Sequence, residues 1–286
     1  MNRIQTETII SDCKDDNTHW KCDIVFKETV ENGWLEIESP PIYNKRREFL
    51  QILASHQPTD NMHWRHIAKV NKNTGEKTFL TEGNFTVTSI LAWWRRNIYF
   101  MGTTEERPGI RHLYRMKDNG MMEKDCVTCK LNTTRGKLCL RNSVEFNPDT
   151  SHYVHTCEGP GIPESVVRKT SDYSIVFVLE DNRDLDKKLG AQDKLLPKPI
   201  YTSYDLDGGF SAFVKIQFPP NMKDGVTYPV LVHVDGSPGS QMVTDSWAVG
   251  WAEYLVTSRN VIYVSIDGRG SGFQSNQHLF QVKFDI

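Results

Sequence analysis

The chain has 286 residues, of which 24% are charged, yet its formal net charge is only −2. A balance so near neutral gives no electrostatic case for nucleic acid or an anionic membrane surface. No apolar run reaches the roughly eighteen residues of a bilayer span, and Met1-Asn2-Arg3-Ile4-Gln5 leads into no apolar signal-peptide core.

From about Asp12 to Asp181, short apolar or alternating runs recur between polar turns and predict strands. They lie at Phe85–Val87, Asn97–Phe100, His112–Met116 and Ser174–Leu179. Short strands with regular turn signals argue for blades or a sandwich rather than helices, and no internal repeat is evident. Leu195-Leu196-Pro197-Lys198-Pro199 marks the predicted boundary, because two prolines so close together cannot continue a helix or a central strand. This divides the chain into 1–196 and 197–286. Beyond it the pattern changes to a longer strand at Phe210–Phe218, a β-branched run at Tyr228–Val234 and an amphipathic segment at Trp247–Thr257. A second β-branched run follows at Val261–Ile266. Each β-branched run breaks into a Gly-rich turn, the pattern of parallel α/β units whose function sits on loops at the strands' carboxyl ends.

The chemistry is defined mostly by what the sequence lacks. A serine hydrolase of α/β type needs a nucleophile in a Gly-x-Ser-x-Gly elbow, followed by its acid and its His. Ser271 has Arg269 and Phe273 at the flanking positions and Ser237 has Asp235 before it, so neither fits. Ser271 reads instead as a turn serine bonded to its own backbone. His63 and His66 would share a helix face, but in a strand-rich context they read as surface or packing residues rather than metal ligands. No catalytic residue, metal site or cofactor is expected within the chain.

Six cysteines, Cys13, Cys22, Cys126, Cys129, Cys139 and Cys157, permit many pairings by count alone. Cys126-x-x-Cys129 has the spacing of half a zinc site or a redox dithiol, but no second Cys/His pair has zinc-ligand spacing. Asn84-Phe85-Thr86 and Asn132-Thr133-Thr134 are glycosylation sequons. Together with an even cysteine count they favour an oxidising, secretory-route environment.

Several segments carry a resemblance. Tyr228-Pro229-Val230-Leu231-Val232, Gly236-Ser237-Pro238-Gly239-Ser240-Gln241 and Asp267-Gly268-Arg269-Gly270-Ser271-Gly272-Phe273-Gln274 resemble the start of the hydrolase domain in the dipeptidyl peptidase IV family of serine peptidases. Cys13 to Cys22, Gly33-Trp34, His66-Ile67, Asn97–Phe100, Cys126–Cys129 and Cys157–Pro163 resemble, in order, the later β-propeller blades of that family. The resemblance runs from about Asp12 to Gln274, and Gln281–Ile286 departs from it. It implies an incomplete β-propeller, its later blades within 1–196, followed by the N-terminal part of an α/β-hydrolase domain in 197–286. It also implies disulfides joining Cys13 with Cys22, Cys126 with Cys129 and Cys139 with Cys157. The implied setting is a single-pass ectodomain on the extracellular side of the plasma membrane, or a secreted protein. The anchor and first blades would lie upstream, and the full-length form would be a homodimer.

Asp235 bears on which branch of the family this is. Active members place a tyrosine at the matching position, in a Val-Tyr-x-Gly-Pro loop, and its hydroxyl donates to the oxyanion. Val234-Asp235-Gly236-Ser237-Pro238 substitutes a carboxylate, which has no proton to donate at neutral pH. This loop resembles the non-catalytic dipeptidyl-peptidase-like proteins that act as accessory subunits of A-type voltage-gated potassium channels. Two functions follow: a non-catalytic ectodomain working through protein contacts, or part of an active serine peptidase releasing Xaa-Pro dipeptides. A parallel sheet that stops after Val261–Ile266 is expected to leave its next edge unpaired, making 197–286 loosely ordered.

Overall fold

The structure, a computed structural model, describes residues 1–15, 18–36, 40–44, 46–190 and 196–282. Leu195 of the predicted boundary and Lys283–Ile286 of the divergent end lie outside the described residues. The first 180 residues form a succession of antiparallel meanders. A hairpin of β1 (Glu7–Asp15) and β2 (Trp20–Thr29) comes first. The sheet β3 (Ile42–Tyr43), β4 (Glu48–Gln57), β5 (Met62–Asn71) and β6 (Lys77–Phe79) follows. A third sheet holds β7 (Val87–Trp94), β8 (Asn97–Gly102), β9 (His112–Lys117) and β10 (Lys124–Cys126). The fourth holds β11 (Arg141–Phe146), β12 (His152–Gly159), β13 (Glu164–Lys169) and β14 (Ile175–Glu180).

Each sheet pairs only consecutive strands and packs its face on the next sheet, which is how propeller blades are stacked. Phe26 of the hairpin packs with Phe49, Leu53, Ala68 and Val70 of the second sheet. Leu50, Ile52 and Ile67 on that sheet pack with Val87, Ile98 and Phe100 of the third. Tyr99, Met101 and Leu113 continue the contact to Val144 and Tyr153 of the fourth. β4 and β8 are therefore buried along almost their whole length because both faces are covered, whereas β12 alternates buried and half-buried residues along its whole length.

One recurrence was not visible in the sequence. His66 Nδ1 lies 3.0 Å from Thr81 Oγ1, which also accepts from Ile67 N at 3.0 Å; Leu80 N donates to Ile67 O at 2.8 Å. In the next sheet His112 Nδ1 lies 3.0 Å from Thr128 Oγ1, which accepts from Leu113 N at 3.0 Å, and Val127 N donates to Leu113 O at 2.8 Å. The same His-apolar pair and distant Thr thus close two consecutive blades.

After the short helix α1 (Arg183–Leu189), β15 (Ile200–Leu206) and β16 (Phe210–Gln217) form a hairpin through Gly208 and Gly209, both left-handed with φ of 82° and 77°. Two successive positive φ values suit glycine. β17 (Val230–Val234), α2 (Trp251–Arg259) and β18 (Ile262–Asp267) follow. The sheet order is β15-β16-β18-β17, with β17 parallel to β18 and β18 antiparallel to β16. This corrects one expectation: β18 is an interior strand, and the uncovered edge belongs to β17. The helix also starts four residues later than its periodicity predicts. Trp247 N is held by Glu158 O of the blades at 2.8 Å, so the chain becomes helical only after the N-cap Gly250, whose N–H donates to Glu253 Oε2 at 2.7 Å.

Candidate functional site

The two Gly-rich turns lie against one another at the carboxyl ends of β17 and β18. Gly239 N donates to Gly270 O and Gly272 N to Ser240 O, both at 2.9 Å. The approach is so close that a Cβ on Gly272 would collide with the carbonyl of Gly239, so glycine is required there. Asp267, at the end of β18, fixes the following segment by accepting from Met242 N at 2.8 Å and Val243 N at 2.9 Å. Burial outweighs these bonds and raises its carboxyl above the usual range.

Blade residues hold the pair of loops from beneath. Arg111 donates to Gln241 Oε1 at 2.9 Å and to the carbonyl of Ile110 at 3.0 Å, and its guanidinium lies 4.1 Å from the centre of the Phe273 ring. Burial lowers Arg111 to about 9. Arg107 pairs with the buried Asp245 and stacks 4.3 Å over Tyr201. The loops are therefore positioned by the blades, through Arg107 and Arg111, two residues that no sequence motif marks for this role.

Asp235 sits at the exposed tip of the first loop. Its Oδ1 accepts from Ser237 N at 2.9 Å, an Asx turn. Bonds from Ser237, the backbone one foremost, hold its carboxyl below the usual range. At neutral pH it is an anion that accepts hydrogen bonds and donates none.

Ser271 is buried, and its Oγ lies 3.2 Å from His278 Nε2 in the four-residue helix α3 (Asn276–Leu279). Sequence reading missed this serine–histidine pair. His278 Nε2 also lies 2.7 Å from Gly268 O, a group that can only accept, so this nitrogen carries the proton and donates it to the carbonyl. Its Nδ1 is buried with no partner among the described residues, and burial lowers the imidazole below its ordinary value. A base for Ser271 needs a free lone pair facing the hydroxyl and a carboxylate behind it. This pair has neither, so it is structural.

The cysteines are joined as Cys13–Cys22, Cys126–Cys129 and Cys139–Cys157. Cys13 and Cys22 face one another across the β1–β2 hairpin, with Cα atoms 4.0 Å apart. His112 lies close to Cys126 and Cys129, with ligand atoms within 4.8 Å of one another, but both sulfurs are occupied by their mutual bond. His63 and His66 lie three residues apart on β5, so they point to opposite faces. His63 bonds to Gln277 at 2.7 Å and His66 to Thr81 and the Gly83 carbonyl. Asn132 is exposed, whereas Asn84 is half-buried with its Oδ1 accepting from Thr59 Oγ1 at 2.7 Å. Among the described residues no helix is long and apolar enough to cross a membrane.

Residues 1–164 match the family described as the dipeptidyl peptidase IV (DPP IV) N-terminal region. Across 98% of its length the chain is 30% identical to venom dipeptidyl peptidase 4 of Apis mellifera, of which it covers 36%. It is 28% identical over 99% of its length to inactive dipeptidyl peptidase 10 of Rattus norvegicus, of which it covers 35%. The chain thus spans about a third of these curated relatives. The crystal structure of Porphyromonas gingivalis dipeptidyl peptidase 4 superposes with a TM-score of 0.79 at 20% identity, over 97% of this chain and 37% of that one. That likeness supports the fold: propeller blades followed by the start of an α/β-hydrolase sheet. With the family match covering more than half of its residues, the chain belongs to the dipeptidyl peptidase IV family.

Proposed function

We propose that the chain is part of a non-catalytic member of this family, one that works on the extracellular side of the plasma membrane by contacting an A-type voltage-gated potassium channel. Asp235 carries this reading. An ionised carboxylate on the loop that would face a developing oxyanion repels the charge that a peptidase must stabilise there. Loss of even one oxyanion donor costs roughly a hundredfold to a thousandfold in rate. The resemblance of Val234–Gln241 to the accessory subunits supplies the partner. Full-length homodimerisation, an upstream anchor and glycans on Asn132 and Asn84 belong to the same reading.

The 30% identity to the bee venom peptidase favours a second reading, part of an active serine dipeptidyl aminopeptidase releasing Xaa-Pro dipeptides. Co-expression of the full-length gene product with an A-type channel, alongside an assay on a Gly-Pro reporter substrate, separates the two. The non-catalytic reading expects altered inactivation and recovery of the current with no turnover. Turnover that follows the protein through purification, with an unchanged current, overturns it.

A further inference from the structure

Two Asn-Gly pairs occur in the chain, Asn32-Gly33 and Asn119-Gly120. Asparagine before glycine is chemically labile, because the glycine nitrogen can attack the side-chain carbonyl carbon with no Cβ to hinder its approach. The two pairs share this local chemistry and differ in their surroundings. Asn119 and Gly120 are both exposed, in the turn between β9 and β10. Gly120 is left-handed, with φ of 79°, and nothing lies within 4 Å of where its Cβ would be. Its N–H donates no hydrogen bond among the described residues, so no bond has to break before that nitrogen reacts. Met121 N donates to Asn119 Oδ1 at 3.1 Å. Negative charge develops on this oxygen during the attack, so the N–H is a donor placed in advance for an oxyanion.

Asn32 is exposed as well, but Gly33 is buried, and a Cβ on it would run into the Phe280 ring. The next residue, Trp34, packs against Phe280 with ring centres 4.6 Å apart and donates from Nε1 to Glu36 Oε1 at 2.8 Å. Leu35 N is bonded to Gln5 O at 2.7 Å. The backbone that follows Asn32 is therefore held in place. Ring closure there needs Gly33 N to swing towards the side chain, and Phe280 and Trp34 oppose that movement. The turn at Gly120 has no such packing to break, and local opening is easiest where few contacts are lost.

We propose that Asn119 is a site of spontaneous modification, converting to aspartyl and isoaspartyl residues in the folded protein while Asn32 is protected. Hydroxide removes the proton from Gly120 N, and the nitrogen forms a bond to Asn119 Cγ. The Cγ–Nδ2 bond then breaks as the side-chain nitrogen takes a proton from water and leaves as ammonia. The five-membered succinimide so formed adds one water at either carbonyl carbon. Opening at Cγ leaves aspartate; opening at the backbone carbonyl leaves isoaspartate, with one extra methylene in the main chain. No electrons are exchanged. Either product sets a carboxylate next to Asp118, whose Oδ1 lies 2.8 Å from Lys69 Nζ of the second sheet. The new charge falls at this link between the second and third sheets. The site stands apart from Asp235 and does not depend on how that loop is read.

Peptide mapping of the 286-residue chain during incubation in mildly alkaline buffer is the test, with the aspartyl and isoaspartyl forms separated by chromatography. In the native chain Asn119 should convert at least about tenfold faster than Asn32. In urea the two rates should come within about threefold of one another, because only the shared dipeptide then remains. Gly120→Ala should slow conversion at Asn119 by about tenfold, since the added Cβ hinders the attacking nitrogen. If that variant does not fold, the comparison of native and unfolded chains carries the test. Equal rates in the native chain, faster conversion at Asn32, or the same excess at Asn119 in urea overturns the proposal.

Discussion

β4 and β17 each carry an apolar run broken by one polar residue, yet Phe49, Leu50, Ile52 and Leu53 are at most 7% exposed while Val230, Leu231, Val232 and Val234 are 38–60% exposed. Composition does not separate these strands; neighbours do. β4 has the hairpin on one face and the third sheet on the other. β17 pairs with β18 alone and forms the edge of its sheet. β14, which ends the fourth sheet, repeats the lesson: Ile175–Glu180 is exposed throughout. In stacked architectures each unit is stabilised chiefly by the units beside it. The middle of the stack is therefore enclosed on both faces, whereas in the α/β sheet β16 and β18 bury alternate residues and β17 buries none.

The largest effect expected from this contrast is in limited proteolysis. Cleavage should concentrate after Leu196 and leave a fragment of the blades, because local opening is easiest where few apolar contacts must be broken. A resistant α/β fragment, with the blades degraded first, would reverse the comparison.

Acid should act next, and on the blades. Burial lowers His66 and His112 from 6.5 to about 4 and His155 to about 3. His155 and His112 bond to the same Asn142, at 2.7 and 3.2 Å, and Arg168 donates to His155. A base with a depressed folded value takes up protons first in the unfolded chain. Stability is thus full above pH 6.5 and falls as pH drops towards about 4, by roughly 1.4 kcal/mol per unit for each imidazole. The free energy of the blade transition, measured by urea unfolding, should be roughly several kcal/mol lower at pH 5 than at pH 7.5, with a lower urea midpoint. Equal midpoints would mean that these histidines accept protons without unfolding.

The His–Thr closure gives a smaller, local effect. Thr81→Val keeps the shape but leaves the buried Ile67 N–H and His66 Nδ1 without the hydroxyl, at about 1–3 kcal/mol for an unpaired group. Thr128→Val removes the same bonds from Leu113 and His112. The two variants should cost similar amounts, measured by urea unfolding. A large loss in one and none in the other would show that the blades are not equivalent units.

This closure also marks where the sequence stops being legible. Strands at Asn97–Phe100, His112–Met116 and Val261–Ile266 announce themselves because their apolar runs are longer than any local alternative. The His66–Thr81 and His112–Thr128 recurrence does not, since two polar residues about fifteen positions apart carry no periodic signal. The β7–β8 turn is similarly hidden: Arg95 and Arg96 both adopt positive φ, 47° and 67°, where Asn or Gly would have been the recognisable choice. The Asp235 loop was readable because its residues are contiguous. Arg111 beneath Gln241 and Ser271 beside His278 exist only once distant segments meet.

The smallest effect tests the edge itself. Among the described residues β17 is paired along one side only and no layer covers its apolar side chains, the combination that invites another strand to add. Val232 is 54% exposed, so Val232→Lys removes little packing and should change stability by no more than about 0.5 kcal/mol. A lysine on an edge strand opposes strand addition by charge and desolvation, so the soluble fraction after concentration should rise. Val178→Lys makes the same change on β14, where the residue is 38% exposed. A greater gain from Val232→Lys would identify the α/β edge as the weaker boundary of the stack. A gain from Val178→Lys alone would place that weakness at the last blade, where the exposed run is one residue longer but the sheet behind it is buried.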